Sequence, residues 1–416
     1  MSVPRARGFR GCLLPILLVG SVTLVLAEGS LRLLFEPMLG KPPANAERSS
    51  ESEFWQRDEA LGWSHIPNAS GTFTNGAFDG EVHFDSLGNR QNSAAGTFID
   101  GHRNIFFLGD STTASLEVDD DETVPALLER RLRAQGWRVN VVNLGVRGYG
   151  TDQSVAKALQ IAGRIPPAEI IYMFTDNDVW DNSVLRQAGR RFGKGVYWRP
   201  GEQSEFVPWN YPVPEYPEDG FGFVLLDEEC RPRIQNGSFQ RPERPLDSGR
   251  RLVSDWLYLP RAIGFIRHAV QDHAVESIDP SQMISGPDRA TWSDEFSLAY
   301  TDAGAVRARC ASYFDDQLRF LLGRLRTIRG LERLTVVHFP DWSVNRSRSA
   351  GRLAPSVDAF EAMVRDRTLD GYLDLTKGLE RNGAPPRDLQ CPYDSHFCEQ
   401  GNAWIAAQIL QFTLRR

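Results

Sequence analysis

From Asn104 onward the chain alternates between two hydrophobic periods. Asn104-Ile105-Phe106-Phe107-Leu108 is an unbroken run rich in β-branched and aromatic residues that stops at Gly109, the pattern of a buried strand entering a tight turn. A helical period follows from Thr123 to Gln135, with Val124, Leu127, Leu128 and Leu132 on one face and Thr123 and Pro125 suited to its start. A second strand is predicted from Val139 to Asn143, a helix from about Gln153 to Ala162, and a third strand from Ile170 to Phe174. The rhythm returns with a long amphipathic helix from Cys310 to Arg329 stopped at Gly330, then a strand from Leu334 to His338. A helix from Ser356 to Arg367, a strand from Gly371 to Leu375 and a last helix from near Gly401 complete it, the last turning Trp404, Ile405, Ile409 and Leu410 toward the sheet. Strands alternating with helices predict an α/β fold with a mostly parallel five-stranded sheet and right-handed crossovers.

Two regions do not share this rhythm. Between Leu61 and Arg90 short apolar pieces alternate with Gly, Asn and Asp, which predicts a small hairpin-like antechamber without evident chemistry. From 181 to about 305 Pro, Trp and Tyr cluster, as in Tyr197-Trp198-Arg199-Pro200 and Val207-Pro208-Trp209-Asn210-Tyr211-Pro212, a long insertion after the third core strand. Its aromatic residues either pack or offer stacking platforms for sugar rings. His268 and His273 are five apart, miss one helix face and have no carboxylate cluster beside them, which argues against a metal site.

Composition narrows the class. The chain has 416 residues, 41% of them hydrophobic, enough for a well-formed core. Lys and Arg number 47 against 54 Asp and Glu, a net charge of -7, and no basic run suggests nucleic acid as a partner. Arg5, Arg7 and Arg10 precede an apolar run from Cys12 to Ala27, which reads as a membrane-directed segment and puts the remainder outside the cytoplasm. Leu31, Leu33, Leu34 and Phe35 extend the apolar character and favour an anchor within 1–40; cleavage near Val25-Leu26-Ala27 would instead give a secreted protein. Residues 41–53 read as a polar, proline-bearing linker, and 54–416 as the folded domain. Cys230, Cys310, Cys391 and Cys398 permit disulfides, with Cys391 and Cys398 closing the shortest loop; four buried thiols are the alternative.

Three predicted strand ends supply polar loops: Gly109-Asp110-Ser111, Asn143-Leu144-Gly145-Val146-Arg147-Gly148 and Thr175-Asp176-Asn177-Asp178. In a parallel sheet these open on one edge, so Ser111, Gly148 and Asn177 can converge although distant in sequence. Asp394-Ser395-His396, just before the last helix, adds a base with a carboxylate nearby. Asp110 reads as a structural partner of its turn rather than as a catalytic group.

In these four blocks, in this order, the chain resembles the SGNH (GDSL-type) hydrolase superfamily, from Asn104 to the end apart from the insertion. The resemblance implies a flavodoxin-like three-layer αβα fold and cofactor-free serine esterase or acyltransferase chemistry. In that pattern Ser111 is the nucleophile, His396 the general base, and the backbone amides of Ser111 and Gly148 with the Asn177 side chain form the oxyanion hole. The chemistry requires such types: an imidazole activates the serine hydroxyl and returns its proton to the leaving alcohol, while N–H donors receive the charge of the tetrahedral intermediate. Two positions depart from the family pattern. Tyr393 stands three residues before the histidine, where the family has its carboxylate, so either Asp394, two before, or a backbone carbonyl takes the role of orienting His396. Thr112 stands where leucine is usual. The expected function is therefore hydrolysis or O-acyl transfer on acyl esters, acetyl above all, of a carbohydrate outside the cytoplasm. A lipid or small acyl ester is the rival substrate, and a non-catalytic binding protein of the same fold in surface polymer assembly the rival class.

Overall fold

A computed structural model of the chain describes residues 26, 28–30, 54–74, 79–175, 177–182, 184–186, 192–199, 205–213, 220–226, 232–238, 310–339, 355–375, 389–391 and 396–415. The chain divides into two units, Arg48–Arg241 with Ala290–Arg416 and Met1–Glu47 with Pro242–Arg289, and the features below belong to the first. The linker 41–53, the apolar run from Cys12 to Ala27 except Leu26, and Cys230, His268, His273 and Asp394 lie outside the described residues. Among the described residues no helix is long and apolar enough to cross a membrane.

The unbroken apolar runs form the centre of the fold. Strands β1 (Arg103–Gly109), β2 (Val139–Asn143), β3 (Glu169–Thr175), β4 (Arg333–Phe339) and β5 (Gly371–Asp374) lie in the order 2-1-3-4-5, every pair parallel. Alternation along β1 sends Ile105 and Phe107 to one face and Phe106 and Leu108 to the other. Helices α1 (Val124–Ala134) and α5 (Glu399–Leu414) bury Leu128, Leu132, Ile405 and Ile409 against the first face. Helices α2 (Thr151–Ala162), α3 (Ala311–Leu325) and α4 (Pro355–Arg365) cover the second with Val155, Leu321, Leu322 and Phe360. Each such side chain contributes about 1.5–3 kcal/mol on leaving water, which is why both faces must be covered. The result is a three-layer αβα fold, with the sheet wholly rather than mostly parallel. In this strand order the chain reverses direction between β1 and β3, so the carboxyl edge there is the place for a site.

Helix limits differ from the periodic reading for local reasons. Helix α2 starts at Thr151, two residues before Gln153, because Gly150 takes the cap position and the Gln153 side chain turns back to its amide. Helix α3 ends at Leu325 instead of Arg329: Arg326, Thr327 and Ile328 donate to Gly323, Arg324 and Leu325, three residues back, while the Thr327 hydroxyl donates to the Arg324 carbonyl at 2.7 Å.

The antechamber is two antiparallel hairpins, Trp55–Asp58 with Gly62–His65 and Ser70–Thr74 with Asp79–His83. Phe54, Phe73, Val82 and Phe84 pack there against Ala114 and Leu116, just beyond Ser111. The described insertion begins with Val184–Arg186, which joins Gly220–Leu226 and Pro232–Ser238 in an antiparallel sheet, and Val196–Trp198 pairs with Val207–Trp209. Lys194 Nζ pairs with Asp152 Oδ1 at 2.8 Å in the first turn of α2, and Gln317 of α3 donates to the Tyr197 carbonyl at 2.7 Å.

Candidate active site

Strand β1 ends at Gly109 with a positive φ of +151°. A Cβ there would overlap Thr113 Oγ1 and come within 2.8 Å of the Met173 carbonyl oxygen, so only glycine allows β3 and the turn to lie so close. Asp110 then caps a single helical turn, Ser111–Ala114, by accepting from the Thr112 amide at 2.9 Å and from the Thr112 hydroxyl. That is the structural part expected of Asp110, and Thr112 serves the turn through its hydroxyl. Ser111 stands at the first position of the turn, half-buried, at the carboxyl end of a central strand. The far end of the turn is held from the antechamber. Arg90, 2% exposed, donates to the carbonyls of Ala114 at 2.6 Å, Ser115, and Val118 at 2.6 Å, and lies 3.4 Å from Asp120. Burial pulls its pKa down from the usual arginine value, and the carboxylates of Asp120 and Glu117 oppose that.

The loop after β2 is laid directly on this turn. Asn143, wholly buried, donates to the Thr113 carbonyl at 2.9 Å and accepts from the Gly145 amide at 3.0 Å. A Cβ on Gly145 would overlap the Ala114 amide and lie 2.6 Å from the Thr113 carbonyl carbon. The Val146 amide donates to the Gly109 carbonyl at 3.2 Å, and Gly148 follows at φ +74°. Between them Arg147 pairs with Glu117 and sits 5.3 Å from the centre of the Phe73 ring.

After β3, Asn177 opens the short helix Asn177–Asp181; its side chain is outside the described residues. The next residue, Asp178, is 1% exposed and accepts from the Tyr172 hydroxyl at 2.6 Å and the Thr175 amide at 3.2 Å. Thr175 Oγ1 lies 3.1 Å from Asp110 Oδ2 and 3.2 Å from Asp178 Oδ1. One hydroxyl proton cannot serve both carboxylates. Burial, with the Asp110 charge next, pushes the Asp178 pKa well above the usual carboxylate range. The Thr175 hydroxyl, set between the two carboxylates, links the ends of β3 and β1.

His396 lies in a closed loop. Cys391 and Cys398 form a disulfide with Cα atoms 4.7 Å apart, the Cys391 amide donates to the His396 carbonyl at 2.8 Å, and Gln390 bridges Phe397. Helix α5 starts at the next residue, Glu399. Cys310 is also disulfide-bonded, so the alternative of four free thiols does not hold. The half-buried imidazole places Nδ1 3.4 Å from Glu117 Oε1, six residues beyond Ser111. The structure thus brings the Ser111 turn, the 145–148 loop, the start of the Asn177 helix and the His396 loop to one edge; Asp394 lies outside the described residues.

Arg90, Glu117, Asn143 and Thr175 hold this edge, and the sequence reading assigns a role to none of them. The only local hint for Glu117 is its place between Leu116 and Val118, apolar neighbours at the head of an acidic run. No group of three or more His, Cys, Asp or Glu suited to a metal ion occurs among the described residues.

No family model and no curated protein matches the sequence. Among solved structures the chain is similar to the psychrotrophic esterase EstA from Pseudoalteromonas sp., at 9% identity and a TM-score of 0.34 over 76% of this chain and 100% of that one. It is similar to TesA at 11% identity and a TM-score of 0.34, over 74% of this chain and 99% of that one. A shorter match is to AlinE4, an SGNH-hydrolase family esterase, at 29% identity and a TM-score of 0.18 over 20% of this chain. There the chain spans 45% of AlinE4's length.

Proposed function

We propose that this protein is a serine-dependent ester hydrolase or O-acyltransferase acting outside the cytoplasm on acyl, foremost acetyl, esters of carbohydrate. The observation that carries the reading is the meeting of four separated stretches on one edge of the sheet: the Ser111 turn, the 145–148 loop packed against it, the helix opened by Asn177, and the loop of His396. In this reading His396 takes the Ser111 hydroxyl proton as Oγ bonds to the ester carbonyl carbon. The amides of Ser111 and Gly148 and the Asn177 side chain receive the oxyanion, each donor worth on the order of 3 kcal/mol of barrier. Collapse breaks the ester C–O bond, the imidazolium returns the proton to the departing alkoxide, and water or a sugar hydroxyl then attacks the acyl-enzyme. On the sequence reading a carboxylate orients the imidazole, with Asp394 the candidate in the histidine's own loop.

Location and substrate rest on separate observations. The arginines before the apolar run from Cys12 to Ala27 support export, with that segment as the membrane anchor, and the Cys391–Cys398 disulfide suits an oxidising compartment. Trp198 and Trp209 meet edge to face at 5.6 Å, and Trp209 is 42% exposed, a surface on which a sugar ring can stack.

The test is p-nitrophenyl acetate cleavage by the full chain with Ser111→Ala as control, followed by mass spectrometry of O-acetylated glycans incubated with it. Ser111-dependent cleavage with acyl loss identifies a hydrolase, and acyl gain from an activated donor a transferase. Absence of Ser111-dependent turnover in both assays overturns the reading.

A further inference from the structure

We propose that Glu117, held by Arg147, is a positioning residue for His396: it orients the imidazole through Nδ1 and stabilises the imidazolium formed during acyl transfer. The inference rests on the esterase reading above and goes beyond it, because the family pattern puts the orienting carboxylate in the histidine's own loop.

Three observations support it. First, the Glu117 side chain is wholly shielded from solvent, and Nδ1 of His396, which is 18% exposed, lies 3.4 Å from its Oε1. A carboxylate taken that far from water costs several kcal/mol unless it is compensated. Arg147 compensates it on Oε1. Oε1 therefore faces both Arg147 and the imidazole, while the charge on Oε2 has no donor of its own among the described residues. Second, the backbone on both sides of Glu117 is fixed, since Arg90 takes the carbonyls of Ser115 and Val118 and Leu116 packs beneath Phe73 and Val82. Third, Arg147 belongs to the loop that ends at Gly148, so one carboxylate joins the histidine to the segment whose amide is assigned to the oxyanion hole.

The chemistry follows from the geometry. With the Nδ1 proton facing Glu117, the Nε2 lone pair is left for the Ser111 hydroxyl. When Nε2 takes that proton, the new positive charge lies beside a fixed negative one, and Arg147 moderates the attraction so that the proton can be returned to the alkoxide. Nearby in sequence, Asp394 belongs to the same loop and Glu399 opens α5, where Glu122 faces it.

The experiment compares Glu117→Gln and Glu117→Asp with the unmodified full chain in p-nitrophenyl acetate kinetics across pH. Glu117→Gln is expected to lower kcat about 10- to 100-fold with KM little changed, less than the roughly 10⁴-fold that follows loss of a sole triad aspartate. The acid limb of kcat/KM moves to lower pH by about one unit, as removal of a nearby opposite charge requires, and Glu117→Asp recovers part of both. An unchanged profile overturns the proposal; so does a fall in kcat that merely tracks melting temperature with the acid limb unmoved. If even the unmodified chain shows no Ser111-dependent turnover, the esterase reading fails separately. The ¹³C-histidine NMR titration of His396, assigned with His396→Gln, then decides: an unmoved pKa in Glu117→Gln overturns the positioning role, and a lowered one sustains it.

Discussion

Truncating Asn143 to alanine tests whether the Ser111 turn and the 145–148 loop are held as one unit. The side chain is fully buried and makes two bonds in opposite directions, to the Thr113 carbonyl at 2.9 Å and from the Gly145 amide at 3.0 Å. Alanine leaves a carbonyl and an amide without this partner, each at about 1–3 kcal/mol, and removes an amide's volume from a packed site. The expected loss is therefore about 2–5 kcal/mol. Unfolding entropy grows with chain length, at about 2.1 cal/mol/K per residue, so a domain of this size loses roughly 1–2 °C per kcal/mol and the melting temperature falls by about 3–8 °C. Asn143→Asp separates the two bonds. Its carboxylate still accepts from Gly145 but opposes the Thr113 carbonyl, so at neutral pH it melts no higher than the alanine variant, and acid, by restoring a donor, narrows its deficit relative to the native protein. Calorimetry of the three proteins at pH 7 and pH 5 checks this. An alanine variant melting within about 1 °C of the native protein, with its ester cleavage intact, would show that the two loops are not tied through this side chain.

Two further perturbations probe the surrounding frame. Lys157 Nζ is buried without a hydrogen-bond partner among the described residues, and burial pushes its pKa from 10.5 down to about 8. Its folded value is the lower one, so the unfolded chain binds more protons between these values and stability rises with pH through that window. Lys157→Met should gain about 1–3 kcal/mol at pH 7 and lose that rise, whereas parallel melting curves for the two proteins from pH 7 to 10 would contradict the assignment. The Cys391→Ser, Cys398→Ser double variant opens a loop of sequence separation 7 around His396. Chain entropy alone sets the loss at about 2–2.5 kcal/mol, and ester cleavage measured well below the melting point should fall as well; full activity with lowered stability would mean that the loop holds its shape unaided.

The five strands and five helices of the sheet were legible because each core strand is an apolar run and each helix carries one apolar stripe, patterns that report burial directly. That the segments after β1, β2 and β3 leave the sheet on one edge was legible too, since parallel strands all end on the same side. What failed to show was everything decided by contacts distant in sequence. Glu117 heads the run Glu117-Val118-Asp119-Asp120-Asp121-Glu122, which reads as a solvated acidic stretch. Its neighbours are held by Arg90 and the Phe73 hairpin, and Arg147 pairs with it from a loop 30 residues on, none of which an acidic run announces. The antechamber looked chemically silent for the same reason: Arg90 acts on carbonyls 24 to 28 residues away. Helix limits shifted where a side chain competed with the helix for a backbone group, as Thr327 does at the end of α3.

Why the edge is tied by buried polar side chains rather than by apolar packing follows from where the strands stop. Past its last ladder bond each loop carries backbone amides and carbonyls that the sheet no longer satisfies, and burying them beside a site demands partners. Asn143 serves the loop after β2, Asp110 and Thr175 join the ends of β1 and β3, and Arg90 closes the turn that begins with Ser111. These bonds are directional, whereas apolar contact constrains distance but little else. Oxyanion donors function only within a few tenths of an ångström of the developing charge, so a rim defined by directional bonds is the arrangement that acyl transfer requires. The same polar groups account for its fragility. Each one spans two loops, so a single truncation both strands buried backbone groups and releases the geometry, and stability and turnover should fall together at Asn143 but separately at Glu117.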